Sequence, residues 1–157
     1  MSEIRFRPAT KADDLFFREL ELETTWASLD PVDRKRFRRA DVRDALLQTH
    51  ELLLARPGNQ VIVAEDEEGD RVGLLWFGIN RNLITGEDEA WVYNVTVVPA
   101  HRRKGVGRKL IDHAEELARK SGFAILGLMV SSHNDAARSL YESLDFQTAN
   151  HLMRKRL

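Results

Sequence analysis

Residues 95–110 read VTVVPAHRRKGVGRKL. Val95, Thr96, Val97 and Val98 form a β-branched run that suits a strand. Pro99 closes it by withholding a backbone donor. Beyond Gly105, the residues Val106, Leu110, Ala114, Leu117 and Ala118 recur on one side of a helix. A strand that turns through glycine into a helix presents unpaired backbone N–H groups at the positive end of the helix dipole, which is an anion site. Arg102, Arg103, Lys104 and Arg108 add mobile positive charge. Each cation there opposes the dipole by roughly a few tenths of a kcal/mol, so a compensating anion gives the cluster a purpose. The stretch is not a P-loop, because no Gly-Lys-Ser/Thr order ends it, and the third glycine of a dinucleotide-binding fingerprint is missing.

Upstream, QVIVAE (60–65), the turn EEGD (67–70) and RVGLLWFGI (71–79) predict a hairpin, and AWVYNVTVV (90–98) predicts a third strand after the polar loop NRNLITGEDE (80–89). Downstream, the spacing predicts a helix from about Gly105 to Ser121 stopped by Gly122, and a strand AILGLMV (124–130). A helix from about Asn134 to Leu144 and a last strand near 150–157 complete the chain. At the N-terminal side, IRFRP (4–8) alternates as a short strand and Thr10 or Asp13 can cap a helix carrying Leu15, Phe16, Leu20 and Leu22. A second helix is expected from Asp30-Pro31 to about Arg56. Antiparallel strands followed by a crossover helix predict an α+β domain spanning 1–157: a mixed, mostly antiparallel sheet with one parallel pair and helices on both faces. A ligand then belongs at the carboxyl ends of the parallel pair, where Val98-Pro99 meets the glycine turn.

The charge balance narrows the function. Lys and Arg number 24 against 25 Asp and Glu, so no global basic excess marks a nucleic-acid binder. The basic segment RKRFRRADVR (34–43) is interleaved with Asp33, Asp41 and Asp44 and reads as a solvated helix face. With no cysteine, thiolate chemistry, disulfides and thiolate metal sites are excluded. His101, His113 and His133 show no metal-ligand spacing, and no metal is expected. No stretch approaches the ~18 apolar residues of a membrane span and MSEIRFRPAT carries no secretory signal, so the cytoplasm is the expected compartment.

The stretch 95–110 resembles the acetyl-CoA-binding signature of the GNAT superfamily of N-acetyltransferases, a strand with Val-x-Pro followed by Arg/Gln-x-x-Gly-x-Gly/Ala. Val97, Pro99, Arg102, Gly105 and Gly107 stand in those places. LGLMVSSHNDAARSLYESLDF (126–146) is similar to the second signature, through Asn134, Ala137, Leu140, Tyr141 and Phe146. Asp145 replaces the usual glycine, and Asp tolerates the left-handed conformation better than most residues.

The resemblance implies a GNAT-like fold whose parallel pair splays to admit acetyl-CoA. The pyrophosphate would lie on the backbone of Arg103, Lys104, Gly105, Val106, Gly107 and Arg108, with Arg102 beside it and Asn134 a helix cap that also touches the cofactor. Pantetheine would pair along Val95 to Val97, where a bulge near Asn94 opens the strand. Transfer to a primary amine by direct attack in a ternary complex needs a neutral amine, and a free lysine amine is neutral in only about one part in a few thousand at pH 7. It also needs an oxyanion donor, for which the Val95 N–H is available, and a protonated thiolate, for which Tyr141 is the implied acid. Many family members carry a base at the position of Tyr93; Tyr93, Glu89, its neighbours Glu87 and Asp88, and a water relay all remain candidates. The alternatives are a coenzyme A sensor without efficient turnover and a nucleic-acid binder. Expected partners are coenzyme A and an amine acceptor, with a homodimer possible and neither nucleic acid nor membrane expected.

Overall fold

The computed structural model describes residues 3–157. Its elements are β1 (Arg5–Pro8), α1 (Asp14–Ser28), α2 (Pro31–Arg36), α3 (Arg39–Leu53), β2 (Gln60–Glu65), β3 (Arg71–Arg81), β4 (Asp88–Val97), α4 (Val106–Lys120), β5 (Leu126–Leu128) and α5 (Asp135–Ser143). The five strands form one sheet in sequence order, antiparallel from β1 to β4, with β5 parallel to β4. This is the expected mixed α+β architecture.

Strand alternation sends side chains to two cores. Ile62, Ala64, Leu75, Phe77, Ala90 and Val92 pack with Val106, Leu110, Ile111 and Ala114 of α4. On the opposite face Leu74 and Trp76 pack with Phe17 and Leu20 of α1, and Leu53, Leu54 and Tyr93 lie against them. Gly73 sits where a Cβ would stand 2.8 Å from Thr96 O and 3.1 Å from the Leu110 side chain, so its lack of one lets α4 close on the sheet.

Beside the first helix, Asp13 is 1% exposed. It accepts hydrogen bonds from Arg7 (2.8 and 3.1 Å), Arg71 Nε (2.7 Å) and the Thr10 N–H (2.8 Å). The Arg7 bonds above all hold its carboxyl well below the usual range, against the opposing effect of burial. One carboxylate thereby ties β1 and β3 to the entry of α1.

Three sequence expectations are corrected. The single helix from 30 to 56 is two helices, because Phe37 and Arg38 are extended (ψ 151° and 157°) and the Asp41 carboxylate accepts the Arg38 N–H at 2.9 Å, restarting the chain as α3. The strand expected over 124–130 pairs only at Leu126–Leu128. No strand forms near 150–157: Arg154 and Arg156 donate to Asp33 at 2.8 and 3.2 Å, and Arg156 to Asp30 at 3.3 Å, which draws the segment to α2 and away from the sheet edge.

Candidate active site

The register places an extra residue in β4: Phe77 faces Val92 and Trp76 faces Asn94, which leaves Tyr93 as the bulged residue, one position from the expected Asn94. The bulge resets the alternation. Ala90 donates to Ile125 O beside β5 at 3.0 Å, and Val98 donates to Val72 O of β3 at 2.8 Å. Counting inward from both, the N–H and C=O groups of Val95 and Val97 point away from β3. On that side β5 pairs only with Ala90–Val92, so, among the described residues, no strand pairs with the edge of β4 from Val95 onward. The expected splay of the parallel pair is present. Arg102 Nε donates to the Val97 carbonyl at 3.0 Å, at the end of that edge.

At the end of β4, Pro99 begins a short 3-10 turn and the chain enters α4 through Arg103 (φ 61°) and Gly105 (φ 83°). Gly105 is the N-cap, in the left-handed region that glycine adopts without strain, and a Cβ there would meet nothing within 4 Å. Gly107 has a packing role: its Cβ would stand 3.3 Å from Leu140 and 3.8 Å from Val97, so α4 can sit close to α5 and β4. Among the described residues, none accepts a hydrogen bond from the backbone N–H groups of residues 103–108. The first amide of α4 to be satisfied is that of Lys109, which reaches Gly105 O at 3.1 Å. This open row, with the exposed side chains of Arg103, Lys104 and Arg108 around it, fits a pyrophosphate. Arg108 donates to Ser143 Oγ at 2.8 Å, linking the cradle to α5.

The second signature contributes α5, whose Leu140 and Ser143 meet α4 at Gly107 and Arg108. Asn134 caps α5 by accepting the Ala137 N–H at 3.2 Å. Tyr141 packs beside the α4 core with its ring 5.7 Å from Phe146. Its hydroxyl makes no hydrogen bond to the described residues, and burial raises its pKa above the ordinary value. Asp145 takes the left-handed conformation (φ 65°), as its place in the motif requires.

The candidate bases are differently placed. Tyr93 donates its phenol proton to Ile79 O at 3.1 Å and packs against Trp76 with centroids 4.9 Å apart and the rings tilted by 31°. Glu89 is half-buried and accepts from Asn82 Nδ2 at 2.8 Å. It lies four residues before Tyr93, about 13 Å along the strand. The acidic segments at 65–70 and 87–89 stand at opposite ends of the 11-residue β3, about 35 Å apart, so they do not converge on one cleft. Residues that sequence reasoning did not assign complete the bulge: Gly78, over which Tyr93 lies, and Trp76, whose indole donates to Asn59 Oδ1 at 2.9 Å. An isolated glycine in an apolar strand was the signal for Gly78.

The model of the GNAT acetyltransferase family matches residues 19–146. The chain belongs to that family. Among curated relatives, the [ribosomal protein bS18]-alanine N-acetyltransferase of Escherichia coli K12 is 45% identical over 62 residues, which cover 40% of this chain and 42% of that protein. The N-acetyltransferase YycN of Bacillus subtilis is 34% identical over 90 residues, 57% of this chain and 56% of the relative. The chain thus spans about two fifths to three fifths of the length of these relatives. Among solved structures, aminoglycoside N-acetyltransferase AAC(6')-Iy in complex with CoA superposes with a TM-score of 0.73 at 18% identity, covering 100% of this chain and 96% of that one. AAC(6')-IG from Acinetobacter haemolyticus gives 0.67 at 22%, covering 98% and 97%. These likenesses establish the GNAT fold.

Proposed function

We propose that the protein transfers the acetyl group of acetyl-CoA to a primary amine by direct attack in a ternary complex. The observation that carries this reading is the continuity of two backbone surfaces, the edge of β4 at Val95 and Val97, which no strand pairs with among the described residues and whose Val97 carbonyl is held by Arg102, running into the open N–H row of 103–108. The first suits the amides of a pantetheine arm laid along the strand; the second suits a diphosphate at its end. Arg102 gives up the Val97 carbonyl to the incoming arm and turns to the phosphates.

The chemistry uses the Val95 N–H, Tyr141 and water. The amine nitrogen attacks the thioester carbonyl carbon, and the developing oxyanion accepts the Val95 N–H, a donor already aimed by the bulge. As the tetrahedral intermediate collapses, the C–S bond breaks and the thiolate takes its proton from Tyr141. A buried phenol is a weaker acid than a free one, so Tyr141 acts first as a hydrogen-bond donor to the sulfur and completes proton transfer as charge builds there. The amine loses its proton to water relayed past Tyr93, whose phenol is held by Ile79, or toward Glu89.

A second reading, a coenzyme A sensor, draws on one feature: the bulged residue is Tyr93 and not a carboxylate. Thiol release from acetyl-CoA across a panel of polyamines, aminoglycosides, amino acids and peptide N-termini separates the two. Acceptor-dependent release establishes the transferase. CoA binding without release for any amine establishes the sensor.

A further inference from the structure

On the face of the sheet opposite α4, Glu21 of α1 and His50 of α3 form a buried hydrogen-bonded contact, Glu21 Oε2 to His50 Nε2 at 2.7 Å, with side chains 5% and 10% exposed. Pairs of this kind are poor stability devices, because desolvating two polar groups costs about what their attraction returns, and apolar residues of similar volume are often as stable or more so. A hydrogen-bonded ring does have one property that a leucine lacks, a fixed orientation.

That orientation is transmitted. The His50 ring stands edge-on to Trp76 (centroids 5.3 Å, 89°) and to Phe17 (4.8 Å, 63°). Trp76 is held at a second point by Asn59, whose amide in turn donates to Leu53 O and Arg56 O at the end of α3 (2.8 and 2.9 Å). Tyr93, the bulged residue, packs against Trp76 at a tilt and lies across Gly78. The bulge aims Val95 and Val97 away from β3; without it, a one-residue slip would turn both toward β3.

We propose that Glu21, His50 and Asn59 are positioning residues for the cofactor site: through Trp76 they lock Tyr93 as the bulged residue and so keep the Val95–Val97 edge directed at the pantetheine arm. The inference rests on the cofactor reading above, and none of the three residues touches the cofactor.

The test measures CoA binding by calorimetry together with thermal unfolding and the near-ultraviolet circular dichroism of the aromatic cluster. Glu21→Leu/His50→Leu replaces the pair by apolar side chains. The double variant is expected to melt at or above the wild-type temperature, to lose part of the aromatic dichroism and to bind CoA about tenfold more weakly. His50→Gln keeps a donor for Glu21 but removes the ring edge from Trp76, and is expected to weaken CoA binding several-fold in a folded protein. Glu21→Gln, which preserves shape and hydrogen bonding, is expected to retain wild-type affinity. Wild-type affinity in both the double variant and His50→Gln overturns the positioning role. Absence of CoA binding by the wild-type protein overturns the cofactor reading itself, which is a separate failure.

Discussion

Tyr93 lies directly over the α-carbon of Gly78: a Cβ at position 78 would stand 2.6 Å from Tyr93 Cε2 and 2.6 Å from Asn59 Oδ1. Both neighbours are held, Tyr93 by Ile79 O and Asn59 by two carbonyls of the α3 terminus, so neither yields freely. Gly78→Ala is expected to destabilise the protein by about 1–3 kcal/mol, the usual cost of overpacking. That corresponds to a fall in Tm of roughly 2–12 °C for a chain of this size. An unchanged Tm would mean that the ring can leave Gly78 without consequence.

The cradle separates backbone strain from ligand exclusion. Gly105 is left-handed with open space where a Cβ would project, so Gly105→Ala carries only the strain of that conformation, about 1–2 kcal/mol. Gly105→Glu carries the same strain and adds bulk and negative charge where a pyrophosphate would lie. The two variants are expected to melt within a few degrees of one another, while CoA affinity falls about 100-fold or more in the glutamate variant alone. Calorimetric titration with CoA reads the difference, and equal affinities would remove residues 103–108 from the cofactor site.

Tyr141 has a hydroxyl with no partner among the described residues and a ring packed against Phe146. Tyr141→Phe is therefore expected to keep its Tm and to lower kcat by about 10²-fold or more, with little change in the KM for acetyl-CoA. Because burial raises the phenol pKa, Tyr141 stays protonated up to at least its ordinary value near 10. Its deprotonation contributes no loss of rate at lower pH. A pH–rate profile of wild type and variant checks both statements, and a wild-type kcat in the variant would return Tyr141 to a packing role.

Asp13 gives the fold a defined acid limit. Its carboxyl is held below the unfolded value of about 3.9, chiefly by the Arg7 hydrogen bonds. A depressed carboxyl pKa means that the unfolded chain binds the proton first as pH falls. The stabilisation is thus complete above about pH 5 and is lost progressively below about pH 4. Asp13→Asn is expected to cost about 2–3 kcal/mol at pH 7, since Arg7 and Arg71 are each about one-third exposed and can rehydrate. The gap between wild type and variant in urea unfolding should narrow from pH 5 to pH 3; a constant gap would place the stabilisation elsewhere.

The parts of this molecule legible in its sequence are those set by local chemistry. Valine alternation, Pro99 and the helical spacing after Gly105 specify a strand, a stop and a helix with neighbours a few residues away. The open N–H row at the start of α4 is legible for the same reason, because unpaired N–H groups at a helix start belong to the helix itself. Asp145 could be read as left-handed because conformational preference is a property of one residue.

What the sequence could not decide depends on partners distant along the chain. The missing last strand follows from Arg154 and Arg156 meeting Asp33 and Asp30, more than 120 positions earlier. The break at Phe37–Arg38 turns on which donor the Asp41 carboxylate takes. The bulge moved from Asn94 to Tyr93 because cross-strand register, Trp76, Gly78 and Ile79 together select the residue left unpaired. Strand propensity at Asn94 carries no information about any of those contacts. Local preference wrote the strand, turn and helix of 95–110; only the cross-strand register, with its bulge at Tyr93, decided which residues of that strand turn their backbone groups away from β3.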